Sequence, residues 1–203
     1  MKLNYEIIAS GSKGNCVVIE NIMIDCGVSF NRIKEQLYNV DYLLLTHIHS
    51  DHINVSTLKK IKKLFPNILM IGNYEVANYV DIDIIANSGY HVKNVPIDFL
   101  PFECVHDVLT YGYMWTMKKK RIIYATDTNN LNNVPNDEKF DYFFIESNYD
   151  EDKIKLAQAK KGYDPKMSAI RHLSTQKAKA FYYLRRKNKQ SKLIELHKSE
   201  RFY

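Results

Sequence analysis

Cysteine is scarce in this 203-residue chain: Cys16, Cys26 and Cys104 are an odd number and form no C-x-x-C pair. That argues against a disulfide framework or a zinc ribbon and fits a reducing compartment. Glycine and proline are also few, seven and five residues. No repeat, linker or low-complexity tract divides the sequence, which excludes fibrous and disordered classes. No segment approaches the roughly 18 uninterrupted apolar residues of a membrane span, and the N-terminal stretch breaks into "SGSKGN" (10–15) before a signal-peptide core can form. A soluble, cytoplasmic protein is expected.

What is present is an ordered globular composition, 45% hydrophobic and 12% aromatic. At this length one sizeable core is expected, hence a single domain over residues 1–203. The net charge is +6, with Lys and Arg concentrated in "KKIKK" (59–63), "KKKR" (118–121) and "LRRKNKQSK" (184–192). Such runs suit a polyanionic partner or simply form solvated faces.

The stretches "KLNYEIIA", "CVVIEN" and "NIMIDCG" read as an antiparallel meander of short strands, followed by a short helix in "SFNRIKEQLYN". Apolar runs then end repeatedly in polar residues: "DYLLL" in Thr46 and His47, "FECV" in His106, "RIIYAT" in Asp127, "YFFI" in Glu146, and "KLIEL" in His197. Runs of this kind read as buried strands. In α/β folds ligands gather beyond the carboxyl ends of strands, so five strand ends are expected to meet. Helices are expected at about 54–64, stopped by Pro66, at about 151–161 between Asp150 and Gly162, and at about 175–188.

The densest chemistry is "HIHSDH" (47–52). Packing does not account for three imidazoles and a carboxylate at the end of an apolar run, because each would need its own partner. His47 and His49, two apart, can grip one ion, whereas Asp51 and His52 lie further round the turn. Two adjacent divalent metals resolve this. His47, His49 and His106 are assigned to the first, Asp51, His52 and His197 to the second, with Asp127 as bridge and a hydroxide between the ions. The all-N/O donor set suits zinc or manganese, and two divalent ions, two aspartates and one hydroxide leave a site of about +1 that attracts anions.

"THIHSDH" after an apolar strand, with a later His, the Asp of "YATDT" and a final His, resembles the metallo-β-lactamase-fold hydrolases over nearly the whole chain. That resemblance implies an αββα sandwich, an α/β fold with a dinuclear site at one edge of two sheets. "ASGSKGNC", "IDCGVS", "ATDT", "ESNYD" and "RHLST" are similar in order and spacing to the YycJ/WalJ-like subfamily. "HLSTQKA" and "HKSERFY" resemble elements of ribonuclease Z. Those groups act on phosphodiesters, which implies a nuclease or related phosphodiesterase. The inserted domain of the β-CASP nucleases and the glycine- and proline-rich arm with which ribonuclease Z grips transfer RNA are not found.

A leaving alkoxide needs a proton, and histidine supplies one near neutral pH. By resemblance to ribonuclease Z, His172 is the candidate general acid; Glu146 is expected to orient it through a hydrogen bond, and Asp51 is counted with them as catalytic. Asp25 in "MIDCG" is expected to hold a ligand imidazole from behind. Lys198, beside His197, either contacts a phosphate or faces solvent. His91 is read as surface, and in "KAFYYLRRK" Phe181 and Leu184 are expected to face the core with the arginines solvated.

The leading expectation is a dinuclear-metal phosphodiester hydrolase acting on nucleic acid. A cyclic-nucleotide phosphodiesterase is the alternative, since the resembling fold includes phage enzymes that disarm nucleotide signalling, and a homodimer commonly completes such a pocket. Thioester hydrolysis of the glyoxalase II type uses the same ligands, but His172 and "HKSERFY" argue against it. From another class, a metal-stabilised nucleotide-binding module without turnover is the contrasting case.

Overall fold

Short runs of β-branched and aliphatic residues at the start of the chain pair into a meander, and the rest of the first sheet grows from it. A computed structural model describes residues 2–159, 162 and 164–203. They form two compact units, residues 1–87 and 88–203. No helix among the described residues is long and apolar enough to cross a membrane.

The first unit carries six strands: β1 (Tyr5–Ala9), β2 (Cys16–Ile19), β3 (Ile22–Ile24), β4 (Tyr42–Leu44), β5 (Leu69–Gly72) and β6 (Ile84–Ile85). Their order in the sheet follows the chain. β1, β2 and β3 are antiparallel, and β3 to β6 are parallel. Parallel pairing demands crossovers. α1 (Val55–Leu64) makes one and α2 (Tyr74–Tyr79) another.

Asn54 caps α1 by accepting from the Thr57 amide. Leu58 and Ile61, on one face of α1, are buried with Leu43, Leu45 and Met70. The segment expected as a short helix before β4 is two 3-10 turns, Phe30–Arg32 and Gln36–Asn39. Ile33, Leu37 and Val40 are buried in the core and Phe30 packs against it, so the segment is anchored by packing without forming a continuous α-helix.

The second unit repeats the plan with β7 (Leu100–Cys104), β8 (Thr110–Met117), β9 (Lys120–Ala125), β10 (Tyr142–Glu146) and β11 (Lys192–Leu196), again in chain order. β7, β8 and β9 are antiparallel and β9, β10 and β11 parallel. The β8–β9 hairpin turns at Lys118 and Lys119, both with positive φ, the geometry that matches strand twist in a two-residue turn.

β8 escapes the sequence reading because its residues are buried on both faces up to Trp115, which erases alternation. Gly112 within it lets Phe102 lie against the strand, where a Cβ would be 2.3 Å from the ring.

Three helices, α3 (Glu151–Leu156), α4 (Pro165–Ala169) and α5 (Thr175–Arg185), lie between β10 and β11. Asp150 caps α3 as expected, but the helix stops at Leu156 rather than near 161. It buries no residue and has nothing to extend it by packing. Of the last residues of that expected helix, 160 and 161 lie outside the described residues. α5 ends at Arg185, three residues earlier than expected.

Its C-terminal end also differs from the expectation. Phe181 packs on the core of Phe143, Ile123 and Ala178, but Leu184 is 66% exposed and Arg185 only 6%. The Arg185 guanidinium donates to the Pro135 and Asn136 carbonyls and to Asn136 Oδ1. These backbone acceptors, invisible in sequence, let an arginine take the inward position.

Candidate active site

In the first unit the loop after β4 carries His47, His49, Asp51 and His52, and two other segments pin it. The Asn15 amide donates to the Asp51 carbonyl at 2.6 Å, and Cys26 N donates to the His52 carbonyl at 2.8 Å. Gly27 lies so close that a Cβ there would be 1.7 Å from Asp51 O. "SGSKGN" and "IDCG" therefore act as the mould in which the histidine loop is held.

Asp25, fully buried, follows β3 in a left-handed backbone conformation, φ 58°. Its carboxylate accepts from the Thr46 amide at 2.8 Å, from Thr46 Oγ1 at 3.0 Å and from His52 Nδ1 at 2.7 Å. A carboxylate can only accept, so His52 carries its proton on Nδ1. Asn15 Nδ2 stands 2.8 Å from His52 Nε2. Its amide orientation is set independently, because Asn15 Oδ1 accepts from Gly11 N. Nδ2 is a pure donor, so Nε2 keeps its lone pair.

The same carboxylate reaches His47 through Thr46. With its one hydrogen given to Asp25, the Thr46 hydroxyl can only accept from His47 Nδ1, 2.9 Å away, and His47 Nε2 is left as the donor atom. That nitrogen is 3.1 Å from His49 Nδ1, near the ~3.3 Å edge implied by two nitrogens at ~2.05 Å from a tetrahedral zinc. The neutral imidazoles of His47 and His52, each unprotonated at Nε2, fit a divalent metal, which binds only unprotonated nitrogen. Asp51 Oδ2, 3.6 Å from His52 Nε2, adds an anionic oxygen beside them.

In the second unit Glu146 closes β10 with its side chain wholly buried. Oε2 accepts from the Thr128 and Leu173 amides at 2.9 and 3.2 Å. Oε1 takes His172 Nδ1 at 2.6 Å and His197 Nδ1 at 3.0 Å. Burial would raise the Glu146 pKa, but the hydrogen bonds and charges of His172 and His197 outweigh it and hold the carboxyl below its ordinary range. Burial likewise opposes the charged form of His172, yet its bond to Glu146 and the charges of Glu146 and Asp127 raise its pKa.

Asp127 and His197 both have positive φ, 50° and 52°, where the chain turns off β9 and β11. Asp127 Oδ1 lies 3.7 Å from His172 Nδ1, 3.7 Å from His197 Nε2 and 3.9 Å from His106 Nε2. Ligand atoms of Asp127, Glu146, His172 and His197 fall within 4.8 Å of one another. His106 also approaches Asp107 Oδ1 at 3.1 Å. Among these groups a carboxylate and imidazoles converge, a donor set suited to a divalent cation.

A family model described as "Beta-lactamase superfamily domain" matches residues 20–186, more than half of the chain. The chain belongs to the beta-lactamase superfamily. A curated relative in Streptococcus pneumoniae, exodeoxyribonuclease WalJ, is 28% identical over 170 residues, covering 72% of this chain and 62% of the relative. The chain thus spans less than two thirds of that relative's length.

Among solved structures, the metallo-β-lactamase fold protein YhfI of Bacillus subtilis aligns over 98% of this chain and 87% of its own, with TM-score 0.74 and 14% identity. The short form of human tRNase Z aligns over 97% and 93%, with TM-score 0.69 and 14% identity. These likenesses show the metallo-β-lactamase fold, in agreement with the α/β class expected from the sequence.

For a beta-lactamase superfamily chain, the sequence-predicted residues fall into two groups. His47, His49, Asp51, His52 and Asp25 share one loop system in the first unit, while His106, Asp127, Glu146, His172 and His197 share one network in the second. Lys198 is placed differently: its ammonium lies 3.9 Å from the Tyr203 ring centroid and 3.6 Å from Glu195 Oε2. His91 is exposed and paired with Asp98.

Sequence reasoning named Thr46 only as a strand-end residue, and passed over Asn15 and Asn148, which donates to the His197 carbonyl at 2.7 Å. Asn15 and Asn148 stand within quoted motifs, and Thr46 directly precedes His47. Their short polar side chains beside metal-type residues were the available signal.

Proposed function

We propose that this chain is a metal-dependent phosphodiester hydrolase whose substrate is nucleic acid. Residues 1–203 would act as one hydrolase domain. The observation that carries the reading is the Asp25 relay, which leaves His47 and His52 in the metal-binding tautomer. The exodeoxyribonuclease relative supports the substrate class.

In this proposal His47, His49 and His106 would hold one divalent ion and Asp51, His52 and His197 a second, Asp127 would serve both, and zinc or manganese would suit this donor set. Such ions supply Lewis acidity and acidify a water toward neutral pH. The residues do the rest. Asp51 orients the attacking water by accepting its hydrogen bond. His172, fixed through Nδ1 by Glu146, presents Nε2 and its proton to the departing oxygen, and Glu146 stabilises the imidazolium before transfer. Asp25 keeps the His47 and His52 tautomers from slipping.

The test is product analysis with Mn²⁺ or Zn²⁺, offering end-labelled single- and double-stranded DNA, RNA and cyclic nucleotides side by side. Shortening of a polymer, lost in Asp127→Ala, is expected. Intact polymers with linearised cyclic nucleotides would make the chain a cyclic-nucleotide phosphodiesterase, and binding without turnover would make it a nucleotide-binding module.

A further inference from the structure

A groove of about 670 Å³ runs along α5 in the second unit, a volume in the range of small-ligand sites. Its walls differ from the rest of this charged surface. No acidic side chain lines it, although Lys177 and Arg185 do. The Arg185 guanidinium is bonded only to carbonyl and amide oxygens, at Pro135 and Asn136, so no carboxylate offsets its charge. Apolar surface comes from Phe181 and the exposed Leu184, and amide surface from Asn132 and Asn136.

The groove is tied to the acid–histidine network by covalent neighbours. Leu173, part of its lining, follows His172 and donates its amide to Glu146. Asn130, also part of the lining, accepts through its carbonyl from the Thr128 hydroxyl at 2.6 Å, and the Thr128 amide donates to the same Glu146 carboxylate. The groove is thus lined by the residue that follows His172 in the chain.

We propose that this groove is a nucleobase subsite that holds the base of a polynucleotide strand next to the bond being cleaved. The inference rests on the phosphodiesterase reading and names where that substrate is gripped. A base presents an apolar face and a hydrogen-bonding edge on an anionic backbone. Leu184 and the Phe181 side of α5 meet the face, the Asn132 amide meets the edge, and Lys177 meets a phosphate. Contact with base faces tolerates any sequence, so the subsite confers affinity for unpaired strands without selecting a sequence. An acidic peptide would lack the flat apolar face, and a purely apolar ligand would leave Lys177 and the amides unused.

The test uses the whole 203-residue chain in EDTA, where no turnover occurs, and fluorescent probes: a short oligothymidylate and an abasic oligonucleotide of the same length. The parent is expected to bind the oligothymidylate about tenfold more tightly than the abasic strand. The combined Lys177→Ala, Asn132→Ala, Leu184→Ala variant, altered only at exposed side chains, is expected to bind both alike.

Equal binding of the two probes by the parent, or a preference retained in the variant, would overturn the proposal. So would displacement by free thymidine monophosphate as effective as by the strand, which would assign the groove to mononucleotides. Hydrolysis of bis(p-nitrophenyl) phosphate in the presence of metal reports on the reaction alone. Its absence in the parent would refute the phosphodiesterase reading while a base preference kept the subsite, and unchanged rates in the variant would show that the substitutions leave the catalytic groups intact.

Discussion

Asp25 and Asp127 occupy matching places in the two sheets. Each follows the strand at which an antiparallel meander turns parallel, β3 in the first unit and β9 in the second, and each adopts positive φ, 58° and 50°. Their surroundings differ. Asp25 is consumed by donors at 2.7–3.0 Å from Thr46 and His52. Asp127 Oδ1 has imidazole nitrogens of His106, His172 and His197 at 3.7–3.9 Å, beyond hydrogen-bond length. The same backbone device thus turns one carboxylate inward as a support and, in the proposed function, offers the other as a ligand. The contacts of its neighbours, not its position, decide which.

Breaking that distinction is the largest effect to look for. Asp127→Asn is expected to lose about 10³-fold or more in turnover and most of the bound metal, whereas Asp25→Asn is expected to weaken metal affinity by about 10–100-fold. Metal analysis alongside kinetics decides, and equal losses would abolish the division of labour.

Glu146→Gln comes next, with kcat falling about 10²-fold and KM changing little, since the substitution disturbs His172 and the His197 imidazole rather than substrate binding. A loss confined to KM would remove His172 from proton transfer.

On the structural side, Gly27→Ala is expected to cost on the order of 3 kcal/mol in a denaturant titration, because the Asp51 backbone must move to admit a methyl group. A wild-type midpoint would show that the loop is not moulded by Gly27.

The smallest effect is a null one. Burial pushes the Cys26 and Cys104 thiols up to about 12 and the Cys16 thiol well above its ordinary value. Below those values the thiols stay protonated, so iodoacetamide at about pH 8 is expected to modify none of the three until the protein is unfolded. Mass spectrometry reads this directly.

Much of the fold could be read from apolar runs ending in His, Asp or Glu, because buried strands and the polar groups at their ends leave a contrast that composition preserves. His47, Asp127, Glu146 and His197 lie at or just beyond strand ends on this account. The left-handed turns at Asp25, Asp127 and His197 were not legible, since those residues tolerate positive φ without requiring it. Nor was the role of Asn15, which depends on a contact 36 residues away with Asp51. β5, α2 and β6 went unassigned because short, mixed segments carry too few residues for a period to emerge. Arg185 was misplaced because its partners are carbonyls, which every sequence has.

In both sheets the spatial order of strands is the order of synthesis, β1 to β6 and then β7 to β11. Each strand after the first can add to an edge formed by its predecessor, and no strand must wait for a later one to supply a neighbour. Loop closure is therefore confined to one crossover at a time. As the chain emerges from the ribosome, the mould of Asn15, Cys26 and Gly27 is already made when the loop that carries His47 to His52 arrives to be shaped by it.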